Sequence, residues 1–370
     1  MRRKVFASIF ILTIVLNILS IVSTGFADFY TRYIFPIWER IMGGITSPMP
    51  FSFGEWMIIA GLLWLLVLLI SFIVFCVKKN RFFVGFGRAT IDLLIIIALV
   101  MTLNCFINYH TTPIGEEMTK EAGGEKRQYT VSELAEYRDF VVTRCNELAE
   151  KMDRDENGFV RYAGTDDVDT VNALMAKEAK KSMAGLSDRF PKLSGYYVNA
   201  KPLLFSGFIS QQYMQGYYFP FSMEANYNNV MYVMNKPFTM CHELSHTKSY
   251  IMEDEANFLA YLGCTNSEDE VFEYSGYIGI LNYVNNEFYN NVTKEEYESH
   301  VKLSDKVKTD NIFLTKESWD KVEENAVLST ETVKQAADTF VDTTLKVNGI
   351  DDGIASYSRV VELLLMDYYK

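Results

Sequence analysis

Residues 237–264 read PFTMCHELSHTKSYIMEDEANFLAYLGC. The chain has only four histidines, and His242 and His246 stand here one helical turn apart around Glu243. On a helix, residues i and i+4 share a face, so both imidazoles can reach one cation. Zn²⁺ suits such a pair, because catalytic zinc takes three protein ligands and leaves a fourth position for water. Glu243 would lie beside the metal and accept a proton from the bound water, whose pKa zinc lowers to about 7. A surface helix with two unrelated histidines is the competing reading. The scarcity of histidine and the carboxylate-rich stretch that follows favour a metal site.

The third ligand is expected from EDEAN, Glu253 to Asn257. Glu253 and Asn257 are i and i+4, on a face shared with Cys264. Glu255 sits about 200° round the helix from Glu253, so only one of the two can face the metal. Six residues, TKSYIM, must reverse the chain between the two segments, and this cramped turn leaves Glu255 open as the alternative. In a helical hairpin Cys241 and Cys264 would meet at the open end, as a disulfide or as two small buried apolar groups.

Outward from this stretch, the N-terminal third reads as membrane anchor (residues 1–108). Its spans are expected at about 5–22, 56–77 and 89–107. The second, WMIIAGLLWLLVLLISFIVFCV, carries no charge and is long enough to cross the hydrocarbon core. MRRK before the first span suits either a cleaved signal or an anchor, and the two later spans favour an anchor. MRRK, KKNR (Lys78 to Arg81) and Arg88 place their loops in the cytoplasm by the positive-inside rule. Residues after about 109 would then lie outside the cytoplasm, which makes the chain a multi-pass protein of the plasma membrane and the bilayer its first partner.

Residues 109–370 carry 26 basic and 43 acidic side chains, a net of −17. Such a surface repels phosphate backbones, so nucleic acid is excluded as a partner. Residues 109–129, polar and rich in Gly and Glu, read as a linker. Thr130 and Glu133 form a capping-box signature for a helix to about Met152, and a second helix is expected from Asp169 to about Ser187. Between them DRDENGFV (Asp153 to Val160) resembles the start of a calcium loop but lacks its closing Glu, and it reads as a turn. Aromatic and β-branched residues over 195–235 suggest short strands. After Pro237 the chain reads as helical, apart from a turn at VNGIDDG (Val347 to Gly353).

His-Glu-x-x-His followed by EDEAN resembles the gluzincins, zinc peptidases that pair this motif with a second helix bearing Glu-x-x-x-Asp. That resemblance implies Glu253 as third ligand and Asn257, in place of the usual Asp, as the partner of a ligating histidine. The chain further resembles a bacterial membrane-anchored family called domain of unknown function 3810. The likeness rests on PFSFGE (Pro50 to Glu55), YYFPFSMEANYN (Tyr217 to Asn228), PFTMCHELSH, EDEANFLAYLGC, YSGY (Tyr274 to Tyr277) and SYSRVVELLL (Ser356 to Leu365).

A hydrolytic site also needs a donor for the developing oxyanion. Tyr357, with Arg359 beside it, is the first candidate, and Tyr274 or Tyr277 the next. Zincins place an edge strand before the active helix to pair with the substrate backbone, which makes Glu224, Asn226 and Asn228 groove candidates. The expectation is an α+β, mostly helical zincin-like domain (residues 130–370) behind three transmembrane helices. It would hydrolyse a peptide or protein at the membrane or cell wall. The alternatives are an inactive sensor or binding module, and a hydrolase of a non-peptide wall amide.

Overall fold

Among the described residues, three helices are long and apolar enough to cross a membrane: Arg2–Val22, Phe53–Lys78 and the run Phe82–Glu121. The computed structural model describes residues 2–79, 81–165, 167–347 and 359–370. The turn expected at Val347 to Gly353 lies, apart from its first residue, outside them. The second span starts where the Ser52 hydroxyl accepts from the Glu55 amide, and it stops at Lys79 in the left-handed region. The third changes winding beyond Met101, through a π turn (Thr102–Phe106) and a 3-10 turn (Ile107–His110). Asn17 of the first span donates to Thr102 at that point, at 2.7 Å.

The stretch expected as a linker, 109–129, holds a helix, Ile114–Glu121, whose Ile114 and Met118 enter the main core. Its polar composition hid two apolar residues at i and i+4, which suffice to dock a short helix. Beyond it the chain is mostly helical. Helices Val131–Lys151 and Val168–Ala184 form where expected, the first closed by the Thr130–Glu133 capping box and the second capped by Asp167. Asp155 accepts from the Asn157 and Phe159 amides, so the DRDENGFV stretch is a hydrogen-bonded turn. The histidine helix spans Lys236–Thr247 and the glutamate helix Glu253–Thr265. Helix Glu270–Asn291 packs on Val131–Lys151 and on the glutamate helix. Tyr137, Phe258, Phe272 and Phe288 fill the core between them.

One small sheet lies against the histidine helix. Its strands are β1 (Lys201–Pro202), β2 (Gly216–Phe219) and β3 (Glu224–Tyr227), in the order β1-β3-β2. β1 runs parallel to β3 and β2 antiparallel, with Gly216 opposite Tyr227 and Phe219 opposite Glu224. β3 is therefore the central strand, and β1 and β2 are the edges. That corrects the expected substrate-pairing role of Glu224, Asn226 and Asn228. Glu224 is buried, salt-bridged to Lys201 at 2.7 Å, and accepts from the Phe53 and Gly54 amides. Asn228 donates to Ser210, and Asn226, fully buried, pairs with Tyr217 of β2. All three are buried, Glu224 and Asn226 on the central strand and Asn228 just after it.

The anchor and the domain share a second, smaller core of Ala27, Tyr30, Phe35, Ile107 and Met223. Buried polar contacts fasten it. Lys248, just after the second histidine, meets Glu39 at 3.0 Å, with both side chains 2 % exposed. Thr46 donates to the Ser222 carbonyl, and Thr112 binds Asp28.

Candidate metal centre

The six-residue turn decides the geometry. Thr247 ends the histidine helix, and Ser249 takes a φ of 70°, a left-handed conformation costing a non-glycine residue on the order of 1 kcal/mol. This folds the glutamate helix back and aims the Tyr250 carbonyl at His246 Nδ1, 2.7 Å away. From the opposite side Asn257 Oδ1 lies 2.9 Å from His242 Nδ1. Each acceptor takes a hydrogen from the Nδ1 it faces, so in the neutral rings it is Nε2 that offers the lone pair.

Those two Nε2 atoms are 3.0 Å apart. Glu253 places Oε2 3.1 Å from His242 Nε2 and Oε1 3.9 Å from His246 Nε2. One ligand atom from each of the three residues lies within 4.8 Å of the others. Two imidazole nitrogens and a carboxylate oxygen at this spacing are a donor set that fits zinc. Burial opposes charge on His242, but the hydrogen bond and charge of Glu253 outweigh it, and its pKa rises. Burial, with the neighbouring His242, holds His246 down to about 4.

Glu255 faces elsewhere. Its carboxylate accepts from the Ile114 amide at 2.6 Å, at the start of the short helix after the third span. Half a helical turn separates the two acids, so the hairpin that delivers Glu253 to the histidines must send Glu255 to Ile114.

Glu243 is 4 % exposed, and its Oε2 has no hydrogen-bond partner among the described residues. Burial pushes this carboxyl up to about 8, the direction a proton-accepting group near neutrality requires. Gly216 of β2 is its neighbour: a Cβ there would stand 2.7 Å from Glu243 Oε1 and 2.5 Å from the Asn226 carbonyl. The absence of a Cβ at Gly216 thus lets the edge strand touch Glu243.

Cys241 and Cys264 meet between the two helices with their sulfurs 3.8 Å apart, both fully buried thiols. Tyr274 is committed to Asp310 at 2.8 Å, and Tyr277 packs on Tyr261 and Phe140. Neither turns to the histidines. Tyr357 lies outside the described residues; Arg359 is 3.6 Å from Asp254, the residue after Glu253. Two tyrosines outside the expected site residues do reach the site: Tyr283 has its hydroxyl 3.5 Å from Asn257 Nδ2, and the ring of Tyr218, in the YYFPFSMEANYN stretch, lies 6.3 Å from that of His246. No local spacing ties either to the histidines, since each arrives from a distant element. His300, away from the cluster, pairs with Asp139.

Residues 30–365 match the family described as Protein of unknown function (DUF3810). No curated protein and no solved structure matches the chain significantly.

Proposed function

Because the chain belongs to this family of unknown function, its activity must be read from the site, and we propose a membrane-anchored zinc metallopeptidase with a zincin-like catalytic domain. One observation carries the reading: one ligand atom from each of His242, His246 and Glu253 lies within 4.8 Å of the others, beside the buried carboxyl of Glu243. Zinc held there would lower the pKa of a bound water and polarise a peptide carbonyl. His242 and His246 are oriented for that by Asn257 and the Tyr250 carbonyl, and Glu253 supplies the anionic ligand. Glu243 takes the proton of the attacking water and delivers it to the leaving amine. The edge strand β2, reaching Glu243 at Gly216, offers its free edge to an extended substrate backbone. Tyr357 is the proposed donor to the oxyanion.

The experiment is a peptide-library digest by the zinc-loaded full chain beside Glu243→Gln. Hydrolysis lost in the variant at equal zinc content supports the peptidase. Zinc bound with no hydrolysis of peptides would favour the sensor reading, and turnover confined to wall amides the non-peptide hydrolase. For orientation, a reporter after Lys78 should lie in the cytoplasm and one after Lys370 outside it.

A further inference from the structure

The metal centre is not held away from the bilayer on a stalk. Tyr218, whose ring lies beside His246, has its hydroxyl 3.3 Å from the Asn104 carbonyl, at the domain-side end of the third span. Asn104 in turn donates to the Pro220 carbonyl at 2.7 Å. β2 starts at Gly216 against Glu243 and ends at Phe219, whose ring packs on Gly54, in the first turn of the second span. Three strand steps, about 10 Å, therefore separate Glu243 from the end of a membrane helix.

The surface around this end is apolar. Between the first two spans the chain runs through short helices (Thr24–Tyr33, Phe35–Trp38) and a π turn (Glu39–Gly43). Phe29, Tyr33, Ile37, Ile41 and Ile45 recur every fourth residue along it and are 50–59 % exposed. That matches lipid-facing positions of the spans, such as Leu62 at 62 % and Ile73 at 54 %. The opposite face is buried on the domain through Tyr30, Phe35 and Glu39. Arg32 and Arg40 are exposed on the same segment, where they can reach headgroup phosphates. Glu55, at the start of the second span, accepts from the amides of Leu204 and Phe205, which are 63 % and 52 % exposed. This continuity with two spans identifies the occupant of the apolar surface as the bilayer itself.

An extended chain laid along the free edge of β2 would pass Glu243 at one end and enter the membrane surface at the other. We propose that the substrate is a polypeptide anchored in the same bilayer, cut within roughly four to eight residues of its own membrane span. This rests on the peptidase reading above. A soluble protein would have to enter the space between the domain and the headgroups, whereas an anchored chain already occupies it. Anchoring also raises the effective concentration of the scissile segment.

The test uses the zinc-loaded full chain in phospholipid nanodiscs. The probes are single-span reporters carrying one randomised segment at about 4, 16 or 32 residues from the span, with the same segment as a free peptide. The short spacing should be cut at least about tenfold faster than the long spacing and the free peptide. Equal rates at all spacings refute the substrate class and leave the peptidase intact. No cleavage of any probe refutes the peptidase and the substrate class together. A second measurement is independent of turnover. Ile37→Cys and Leu204→Cys, in a Cys76→Ser, Cys105→Ser background and labelled with a fluorophore, should be quenched by spin-labelled lipids, and a label at Glu298→Cys should not. Unquenched labels at both positions would overturn the membrane placement on which the proposal stands.

Discussion

Asn257→Ala should weaken zinc binding by about 10- to 100-fold without unfolding the chain. The side chain is 4 % exposed, and its Oδ1 lies 2.9 Å from His242 Nδ1. Removing it deletes a buried hydrogen bond of about 1 kcal/mol net and leaves an imidazole N–H without a partner, a further cost of about 1–3 kcal/mol. Part of that loss is shared by the metal-free state. The remainder falls on the loaded state, where a cation on Nε2 makes Nδ1–H a stronger donor, and outer partners of metal-bound histidines are typically worth 10- to 100-fold, or about 1.4–2.7 kcal/mol. Asn257→Asp should act oppositely. A carboxylate there makes a charge-assisted bond of roughly twice the strength and adds attraction for the cation, so affinity should rise several-fold. The assay is competition with a zinc chelator on the detergent-solubilised full chain. Ser245→Ala serves as control, since Ser245 is buried on the same helix and donates only to the Cys241 carbonyl. If Asn257→Ala binds zinc within about twofold of the parent while Ser245→Ala does too, His242 is not oriented as a ligand by this bond.

Glu253→Gln should lose most bound zinc and Glu255→Gln keep it, measured by mass spectrometry of the two proteins side by side; the reverse result would reassign the third ligand. Gly216→Ala brings a methyl within 2.5 Å of the Asn226 carbonyl and 2.7 Å of Glu243. It should cost about 1–3 kcal/mol and reduce hydrolysis while zinc stays bound, so an unchanged rate would show that β2 does not confine Glu243. Lys248→Met strands the Glu39 carboxylate, whose pKa burial already pushes up to about 7 against the pull of Lys248. Thermal unfolding should show a loss near the low end of about 3–5 kcal/mol, largely restored by adding Glu39→Gln; no loss would mean that the pair does not clamp anchor to domain. Burial lowers Lys236 to about 8, below its unfolded value, so the unfolded chain binds the extra proton above pH 8. Stability of the parent relative to Lys236→Met should therefore rise between pH 8 and about 10, and a flat difference would contradict the shift.

The membrane spans and the histidine pair were legible in the sequence because each is a local property. Twenty apolar residues span a bilayer whatever surrounds them, and i,i+4 spacing puts His242 and His246 on one face of any helix. The capping box at Thr130 and the helix it opens were legible for the same reason. The choice between Glu253 and Glu255 was not. Both lie on one helix, and which one meets the histidines depends on how six residues reverse the chain, a matter settled by the left-handed Ser249 and the Tyr250 carbonyl. Strand order was hidden too, since the hydrophobic pattern of β3 does not say that short β1 and β2 flank it on both sides. Least visible was the union of anchor and domain. Glu39 with Lys248, and Glu224 with the start of the second span, join residues about 170 to 209 positions apart. Pairing over such separations is selected by the burial of charge in the folded chain, which no local spacing records.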